Sequence, residues 1–571
     1  MSGSCTAAEV RLLIQDDELR AEMLIPGGET REKKILELRE GANDRFLDGP
    51  ATRRLAVVDF DPATGAPLGP PARFVPPKTA GGSRGSYAIG RDPDSPATLA
   101  VNAFGTAFLT IKLFEGEDAL GREVTWAFGG EQLLIVPRAG QRANAFYDRA
   151  TRSLQFFWFT GTSGETVYTA LSRDIVAHEC GHALLDAVVP SLYDSATPES
   201  IAIHEAVADV VAVLLALDSG RLRESVLARS KNTLSGANAF SKIAEQFGMA
   251  QLGPGGVHRT ELRDLANTGT RATLAGERPH RLSTLLSAIF YDTLKQIYDA
   301  RFAKLMTTPA PESGQLPTAD QAANKALGTA YMAFRRMLLR GIDYLPPGEL
   351  SFADVGRAAL AADRAVVSDA DAGEERRERR TLFAQRFVTR GLVTTASELD
   401  GAVPAALDVT PARLPELRDS DYLAYDWVGR NRATIGIPAD VPFTVLPRVD
   451  ASKKVGGQND PLQRELILKI GWNHVEAATM PTGAAKSRLV PTGATISFHW
   501  DTGRCLALVA SDILGTHHRK DRDALLAQLT ADGIPVDAAS RIEGRVSVRA
   551  DDDYVTLSRS HRLLHLEEWG E

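Results

Sequence analysis

Apolar and polar residues are arranged along the chain in three successive patterns, which predict strands, then helices, and then strands again. Short apolar runs broken by turn residues predict strands or hairpins in the regions 55–77, 124–137 and 144–160. The Gly-, Ser- and Pro-rich stretch 76–96 predicts a loop. Apolar residues then recur every three to four positions, which predicts helices, and near the C-terminus the alternation typical of strands returns. The predicted helices cover 101–120, 172–189, 198–217, 282–305, 319–340, 352–365 and 521–531, and the predicted C-terminal strands cover 443–449, 465–471, 495–500, 505–510 and 545–550.

The length of 571 residues and the two changes of pattern predict an α+β protein with more than one folding unit. We divide the chain into an N-terminal strand and hairpin region at 1–86, a central domain at 87–400 and a β-rich C-terminal domain at 401–571. The central domain contains the sequence motifs that carry chemistry.

Charge and apolar runs argue against several classes of function. A net charge of −8 provides no basic field for a nucleic-acid backbone, and no uninterrupted run of 18 apolar residues is present to span a bilayer. Acidic residues at 16–18 interrupt the N-terminal segment where a signal peptide needs an apolar core, which predicts a cytoplasmic protein. Cys5, Cys180 and Cys505 are too scattered to predict a disulfide framework or a cysteine-based zinc site.

The segment DIVAHECGHALLDAV, residues 174–188, contains the motif H-E-x-x-H. His178 and His182 are four residues apart, so on a helix both imidazoles lie on one face and can bind one metal ion. Glu179 is displaced by about 100° around the helix axis, close to the ion but not placed as its ligand. This is the position for a base that acts on metal-activated water.

The next predicted helix offers a third ligand in the sequence HEAVAD. Two antiparallel helices joined by a short turn would bring Glu205 opposite the two histidines and complete a His₂Glu set with an open position for water. Asp209, one turn further, can accept a hydrogen bond from the second ring nitrogen of a ligating histidine. Carboxylates on this otherwise apolar helix need a compensating charge, which a cation would supply. We expect His204 to be structural or to contact a ligand, and Cys180 to pack in the core.

The motif H-E-x-x-H followed by Glu205 and Asp209 in the pattern E-x-x-x-D resembles the thermolysin-like branch of the gluzincin metallopeptidases. The chain keeps the family's order of features, first the strand, then the helix pair, the arginine and the late histidine, over about 101–367. The resemblance implies a thermolysin-like zincin catalytic domain, with an N-terminal mixed sheet plus helices and a C-terminal helical subdomain, followed here by an additional β-rich domain. It also implies one catalytic zinc ion held by His178, His182 and Glu205.

Further residues take family roles through the same resemblance. Tyr193 and His280 are similar to the donors that stabilise the oxyanion, and Arg263 is similar to the arginine that contacts the substrate carbonyl. Asn144 and Ala145 resemble the edge-strand segment that pairs with the substrate backbone. The resemblance thus implies a complete set of catalytic and substrate-binding groups.

Two points of the resemblance stay open. His258 is the alternative to His280, which we prefer because it follows the arginine segment and opens a predicted helix. The acidic cluster that binds calcium in the family is only partly suggested by Asp174 and Asp186, and Ala216 stands where a further carboxylate is expected. A calcium site is therefore doubtful.

The resemblance implies a zinc-dependent endopeptidase that acts on peptide or protein substrates. In this interpretation Glu179 takes a proton from metal-activated water and passes it to the leaving amine. One alternative is a latent or non-hydrolytic zinc protein whose C-terminal β-domain binds a protein partner, and another is a zinc hydrolase of non-peptide amides. Without a metal, His178 and His182 would be core histidines, and Glu205 with Asp209 would form a structural ion-pair set.

Two remaining features are predicted to be structural. The mixed-charge run 374–380 predicts a solvated helix face. The adjacent His517 and His518 are predicted to lie in a polar loop rather than at a second metal site. The C-terminal domain could recognise substrate, dock a partner or cap the cleft, and the sequence does not choose among these roles.

Overall fold

The structure, a computed structural model, describes residues 6–13, 31–39 and 44–531 with gaps, together with the two strands beyond residue 546. The longest gap inside the central range is 244–262. The described residues form a mixed α+β protein, as the sequence predicts, with a layer of long helices between sheets.

The helices are α1 (Pro96–Glu115), α2 (Arg173–Val188), α3 (Pro190–Tyr193), α4 (Pro198–Asp218), α5 (Gly220–Arg229), α6 (Pro279–Thr307), α7 (Ala319–Tyr344), α8 (Phe352–Val366), α9 (Glu374–Thr389), α10 (Arg413–Asp419), α11 (Asp421–Ile435) and α12 (Thr516–Ala531). The strands are β1 (Ala7–Leu13), β2 (Arg31–Glu37), β3 (Leu55–Val57), β4 (Phe74–Val75), β5 (Arg84–Tyr87), β6 (Leu133–Val136), β7 (Ala145–Asp148), β8 (Ser153–Phe156), β9 (Trp158–Thr160), β10 (Thr166–Tyr168), β11 (Lys242–Ile243), β12 (Arg263–Asp264), β13 (Phe443–Val445), β14 (Val449–Lys454), β15 (Leu462–Thr479), β16 (Ala485–His499), β17 (Cys505–Ala510), β18 (Ser547–Ala550) and β19 (Tyr554–Ser558).

The N-terminal sheet has the strand order β2-β1-β5-β4, with β1 parallel to β5 and the other neighbours antiparallel. It packs on α1, where the Asn102 side chain accepts a hydrogen bond from the Leu13 backbone N–H at 3.1 Å. The sequence reasoning missed β1 and β2, because charged residues interrupt the apolar alternation of β2. It was also wrong to predict only a loop where β5 lies.

Helix α1 lies N-terminal to its predicted bounds of 101–120 because of a cap that the sequence reasoning overlooked. Ser95 accepts a hydrogen bond from a backbone N–H of the first turn at 3.3 Å. Pro96 occupies the first helical position, where a missing N–H is harmless. The helix ends at Glu115, with Gly116 as its C-cap, rather than at the predicted residue 120.

A second sheet, with the order β3-β6-β8-β7, lies beside α2. β3, β6 and β8 run parallel, and β7 joins β8 as an antiparallel edge strand. The predicted strand at 124–137 is thus reduced to β6, and the predicted strand at 144–160 is divided into β7, β8 and β9. One edge of β7 faces α2, which puts strand backbone beside the H-E-x-x-H helix.

Helices α2 and α4 match their predicted bounds closely, and α6, α7 and α8 extend beyond theirs. α2 and α4 pack so tightly that a Cβ atom added at Gly181 would lie 3.2 Å from the Ala208 Cα atom. Helix α4 is buried on all sides, which explains its almost wholly apolar sequence. The Thr197 side chain, at the N-cap position, makes no capping hydrogen bond, and its hydroxyl donates to Ser200 at 2.8 Å.

The seven-stranded C-terminal sheet is built on the long antiparallel hairpin of β15 and β16. One face, which includes Leu466 and Leu468, packs on α10 and α11, two helices that the sequence reasoning did not predict. Ile467, on the opposite face, belongs to the core of the central helices. Alternate residues of β15 therefore serve two cores, because successive side chains of a strand point to opposite faces.

Buried polar groups also connect this sheet to the central helices. The Tyr344 hydroxyl donates to the Glu465 carboxylate at 2.8 Å. Lys469 Nζ donates to the carbonyl oxygen of Val188, the last residue of α2, at 3.0 Å. Burial lowers the pKa of Lys469 to about 7. The proposed domain boundary at 400/401 therefore separates elements that pack on each other.

One structural prediction holds except at its last residue, and another was wrong. The charged run 374–380 opens α9 as a largely exposed helix face, but Arg380 is buried there and pairs with Asp363 at 2.7 Å instead of facing solvent. His517 and His518 lie in the first turn of α12 rather than in a loop, and His518 is buried.

Two helices, α1 and α4, are long and apolar enough to cross a membrane by length and composition. Both are mostly or wholly buried inside the protein. Core helices that are apolar on all sides have this property.

Candidate metal centre

Helices α2 and α4 bring three potential metal ligands to one point. The Nε2 atoms of His178 and His182 are 3.1 Å apart. One carboxylate oxygen of Glu205 lies 3.4 Å from the His178 Nε2 atom, and the other lies 3.5 Å from the His182 Nε2 atom. Within the described part of the chain, no fourth imidazole, thiol or carboxylate joins this group of mutually close ligand atoms.

The donor set fits a zinc ion. Zinc–ligand bonds of about 2.0–2.1 Å in a tetrahedral site place neighbouring ligand atoms about 3.3 Å apart, close to the distances between these three side chains. Nitrogen lone pairs and a carboxylate that converge in a buried space are costly unless a positive charge compensates them. Three protein ligands leave a fourth position for water, as in catalytic zinc sites.

The second ring nitrogen of each histidine has a buried partner. His178 Nδ1 lies 3.1 Å from an Asp209 oxygen, and the Ser287 hydroxyl donates to the other Asp209 oxygen at 3.3 Å. His182 Nδ1 lies 2.7 Å from His204 Nδ1. Such partners fix the ring orientation and the tautomer of a ligating histidine. Asp209 thus contacts His178, as the sequence predicts, and His204 contacts His182, a candidate ligand.

Glu179 lies on α2 beside this set and contacts the edge strand β7. Its Oε2 atom accepts a hydrogen bond from the Tyr147 backbone N–H at 2.9 Å. The side chain is only 1% exposed. The structure therefore fixes the orientation of this carboxylate, on the residue that directly follows His178.

The predicted substrate-binding residues lie at the start of the same strand. The Ala145 backbone N–H donates to the side-chain oxygen of Asn144 at 2.8 Å. Ala145 and Tyr147 are two residues apart, and a strand directs such backbone groups to the same edge. The Asn144 Nδ2 atom is buried and has no hydrogen-bond partner among the described residues.

Tyr193, the last residue of α3, is held by a cation and by a second ring. The Arg149 guanidinium lies 4.3 Å from the centre of the Tyr193 ring, and the Tyr147 ring lies edge-on at 5.6 Å. The Tyr193 hydroxyl accepts a long hydrogen bond of 3.5 Å from the Arg149 backbone N–H. Burial raises the pKa of Tyr193, so its hydroxyl stays protonated and can donate. The sequence reasoning missed Arg149, whose one signal is its place directly after the edge strand.

Arg149 also compensates the buried charge of Asp186, one of the two candidate calcium ligands. Its guanidinium pairs with Asp186, which accepts a further hydrogen bond from the Tyr147 hydroxyl at 2.7 Å. A positive charge inside the chain therefore already compensates this buried carboxylate.

His280, the second residue of α6, reaches the centre from a third helix. Its Nε2 atom lies 3.3 Å from a Glu205 oxygen, a contact that the sequence reasoning did not predict. Burial alone would raise the pKa of the Glu205 carboxyl, but the nearby His280 and His182 imidazoles and hydrogen bonds from His178 and His280 hold this pKa well below its usual range. Glu205 is therefore a carboxylate.

Two predicted residues have no described side chain. Arg263 begins the short strand β12, and its side chain lies outside the described residues. His258, the alternative to His280, also lies outside them. Cys180 packs in the core as expected, with its thiol 3.7 Å from the Ala107 carbonyl oxygen.

A second group of potential ligands joins the first turn of α4 to α12. Glu199, His518 and Asp521 have ligand atoms close enough to share a metal ion. Arg271, however, pairs with both carboxylates. Its guanidinium already supplies the positive charge that these groups require.

Comparisons with known proteins leave the family open. No protein-family model matches the chain, and no curated protein matches its sequence. Among solved structures, the chain is similar to a precursor of protealysin, a metalloproteinase from Serratia proteamaculans, with 15% identity and a TM-score of 0.32. The match covers 59% of this chain and 87% of that one. A TM-score of this size does not establish a shared fold, so the candidate metal centre rests on the geometry of its own residues.

Proposed function

We propose that the protein is a zinc-dependent endopeptidase of the thermolysin-like type. The observation that carries the proposal is the convergence of His178, His182 and Glu205 on one point, with Glu179 held beside them. Structural zinc sites use four protein ligands, whereas this set has three among the described residues. A position for water is what hydrolysis requires.

The residues of the set divide between holding the metal and moving protons. His178, His182 and Glu205 would hold a zinc ion, which supplies Lewis acidity toward water and a substrate carbonyl. Glu179 takes the proton of the attacking water and later delivers it to the leaving amine. The Tyr147 backbone N–H holds one oxygen of Glu179 and thereby orients the other.

Three further residues act on the substrate in this proposal. Tyr193 and His280 donate to the oxygen that becomes negative in the transition state, where a preorganised donor is most effective. Arg263 contacts the substrate carbonyl. Burial keeps the Tyr193 hydroxyl protonated, which supports its role as a donor.

The substrate backbone would add to the edge of β7 away from β8, where the Tyr147 N–H contacts Glu179. Asn144 Nδ2, a buried donor without a partner among the described residues, is available to a substrate carbonyl. The Ala145 N–H would exchange its bond with the Asn144 side chain for a bond with the substrate. Main-chain pairing of this kind favours peptides over other amides.

The burial of the centre favours a second candidate, a latent or non-hydrolytic zinc protein. His178 and His182 are only 3% exposed. A peptide needs an opening to reach them, and the C-terminal sheet contacts the last residue of α2 through Lys469. In this case the C-terminal domain would bind the partner that regulates access.

A cleavage experiment separates the candidates. The zinc-loaded protein is incubated with a denatured proteome, with and without a zinc chelator, and new peptide termini are mapped by mass spectrometry. An endopeptidase produces internal cleavages that the chelator stops and added zinc restores. Stoichiometric zinc without any cleavage would support the latent protein, and cleavage of a panel of non-peptide amides alone would support the other hydrolase.

A further inference from the structure

A cavity of about 450 Å³ lies between α7, α8 and α9 and shares no lining residue with the candidate metal centre. Its charge is opposite to that of the whole chain, which has a net charge of −8. The cavity has one acidic lining residue, Asp363. Its basic lining residues are Lys325, Arg336, Arg340, Arg376 and Arg379.

The single carboxylate of the cavity is shared by several guanidinium groups. Asp363 lies 2.7 Å from Arg380, 3.5 Å from Arg379 and 3.9 Å from Arg376. Arg380 has the shortest contact and a second partner, Asp369, at 2.6 Å. One negative charge cannot neutralise Arg376 and Arg379 as well, so positive charge in the cavity remains uncompensated.

Arg340, on α7, adds a buried cation to the cavity lining. It is 3% exposed, and its guanidinium donates only to the backbone carbonyl oxygens of Glu117 and Lys454, while its Nε atom has no hydrogen-bond partner among the described residues. Burial and repulsion from Arg336 lower the pKa of Arg340 to about 10. Arg336 itself is paired with Asp118 at 2.6 Å. The excess charge is therefore concentrated on Arg340, Arg376 and Arg379.

We propose that this cavity is a binding site for a diphosphate group, either free or as part of a nucleotide. Guanidinium groups bind phosphate oxygens through paired, charge-assisted hydrogen bonds. A diphosphate carries two or more negative charges, which would complement Arg340, Arg376 and Arg379 where the cavity lining supplies only the shared Asp363 carboxylate. The volume is within the range of small-molecule sites.

Calorimetric titration of the zinc-loaded full chain with ADP tests the proposal. We expect one ADP per chain, and an affinity at least tenfold lower in the double variant Arg376→Gln/Arg379→Gln. The double variant Arg413→Gln/Arg430→Gln removes the same charge from α10 and α11 and should bind as the parent does. Pyrophosphate, with the zinc content checked after the titration, shows whether free diphosphate is sufficient.

Several outcomes would overturn the proposal. These are absence of binding of both ADP and pyrophosphate at millimolar concentration, an equal loss in both double variants, or citrate binding as tightly as the diphosphates. If the cavity variant fails to fold, the exposed Lys325→Gln provides the second test, with an expected loss of a few-fold. Binding is measured without reference to peptide cleavage, so this proposal can fail while the proposed function stands.

Discussion

The Nδ1 atoms of His182 and His204 lie 2.7 Å apart between α2 and α4. Burial lowers the pKa of His204 to about 3, so this imidazole is neutral at physiological pH. A single proton then joins the two nitrogens, and when His182 carries it, the Nε2 lone pair of His182 is directed at His178 and Glu205. His204 is thus a positioning residue for one ligand, as Asp209 is for the other.

Loss of the His204 imidazole should weaken zinc binding. His204→Leu removes the partner that fixes the His182 tautomer, and we expect an affinity about 10- to 100-fold lower. His204→Asn keeps a hydrogen-bonding group and should lose less. Competition with a fluorescent zinc chelator measures the affinity, with His474→Leu in β15 as the control. Equal affinities of the parent and His204→Leu would show that the contact does not position the ligand.

A side chain at Gly181 should separate the two metal-binding helices. Its Cβ atom would lie 3.2 Å from the Ala208 Cα atom and 3.3 Å from the Val211 Cβ atom. Gly181→Val should therefore lower the free energy of unfolding by about 1–3 kcal/mol more than Gly328→Val. Gly328 lies in α7, where a Cβ atom meets nothing within 4 Å. Urea denaturation of both variants makes the comparison, and equal losses would contradict close packing at Gly181.

The buried Lys469 should make the stability depend on pH. Its pKa is about 7 in the folded protein because of burial, and about 10.4 in the unfolded chain. Between these values the unfolded chain binds more protons, so this group makes the free energy of unfolding rise with pH, by at most about 1.4 kcal/mol per unit. The contribution is flat below about pH 7.

Lys469→Met should remove this dependence. Relative to the control Lys520→Met, an exposed site, the variant should gain stability as the pH falls from 10 to 7. Urea midpoints measured with a chelator present, at several pH values, give the difference directly. A difference that does not change with pH would mean that Lys469 is not charged and discharged as its burial predicts.

Removal of the Tyr193 hydroxyl should slow peptide hydrolysis without loss of zinc. If the hydroxyl donates to the developing oxyanion, Tyr193→Phe lowers kcat by about 10²-fold and leaves KM nearly unchanged. The exposed Tyr425→Phe in α11 is the matched control. An increase in KM with kcat unchanged would assign Tyr193 to substrate binding instead.

The parts of the centre that follow from local sequence could be predicted. The spacing of His178 and His182 within one helix, and the apolar pattern and proline that set the bounds of α4, brought Glu205 and Asp209 to the expected places. These predictions depend only on helix geometry and on one helix–helix contact.

The remaining parts depend on packing between distant segments. The contact of His280 with Glu205 requires the position of α6, which no local pattern specifies. The role of Arg149 depends on the contacts of its guanidinium with Tyr193 and Asp186, which are distant from it in the sequence. The burial of Arg380 at the end of the exposed charged run of α9 has no local signal, because its partner Asp363 is on another helix.

Zinc content and proteome cleavage, measured on the purified parent, Glu179→Gln and Glu205→Gln, test the proposed catalytic zinc site most directly. We expect one zinc per chain in the parent and in Glu179→Gln, with cleavage about 10²- to 10⁴-fold slower in the latter. Glu205→Gln should lose most of its zinc. Full zinc occupancy in Glu205→Gln, or undiminished cleavage by Glu179→Gln, would contradict the proposed site.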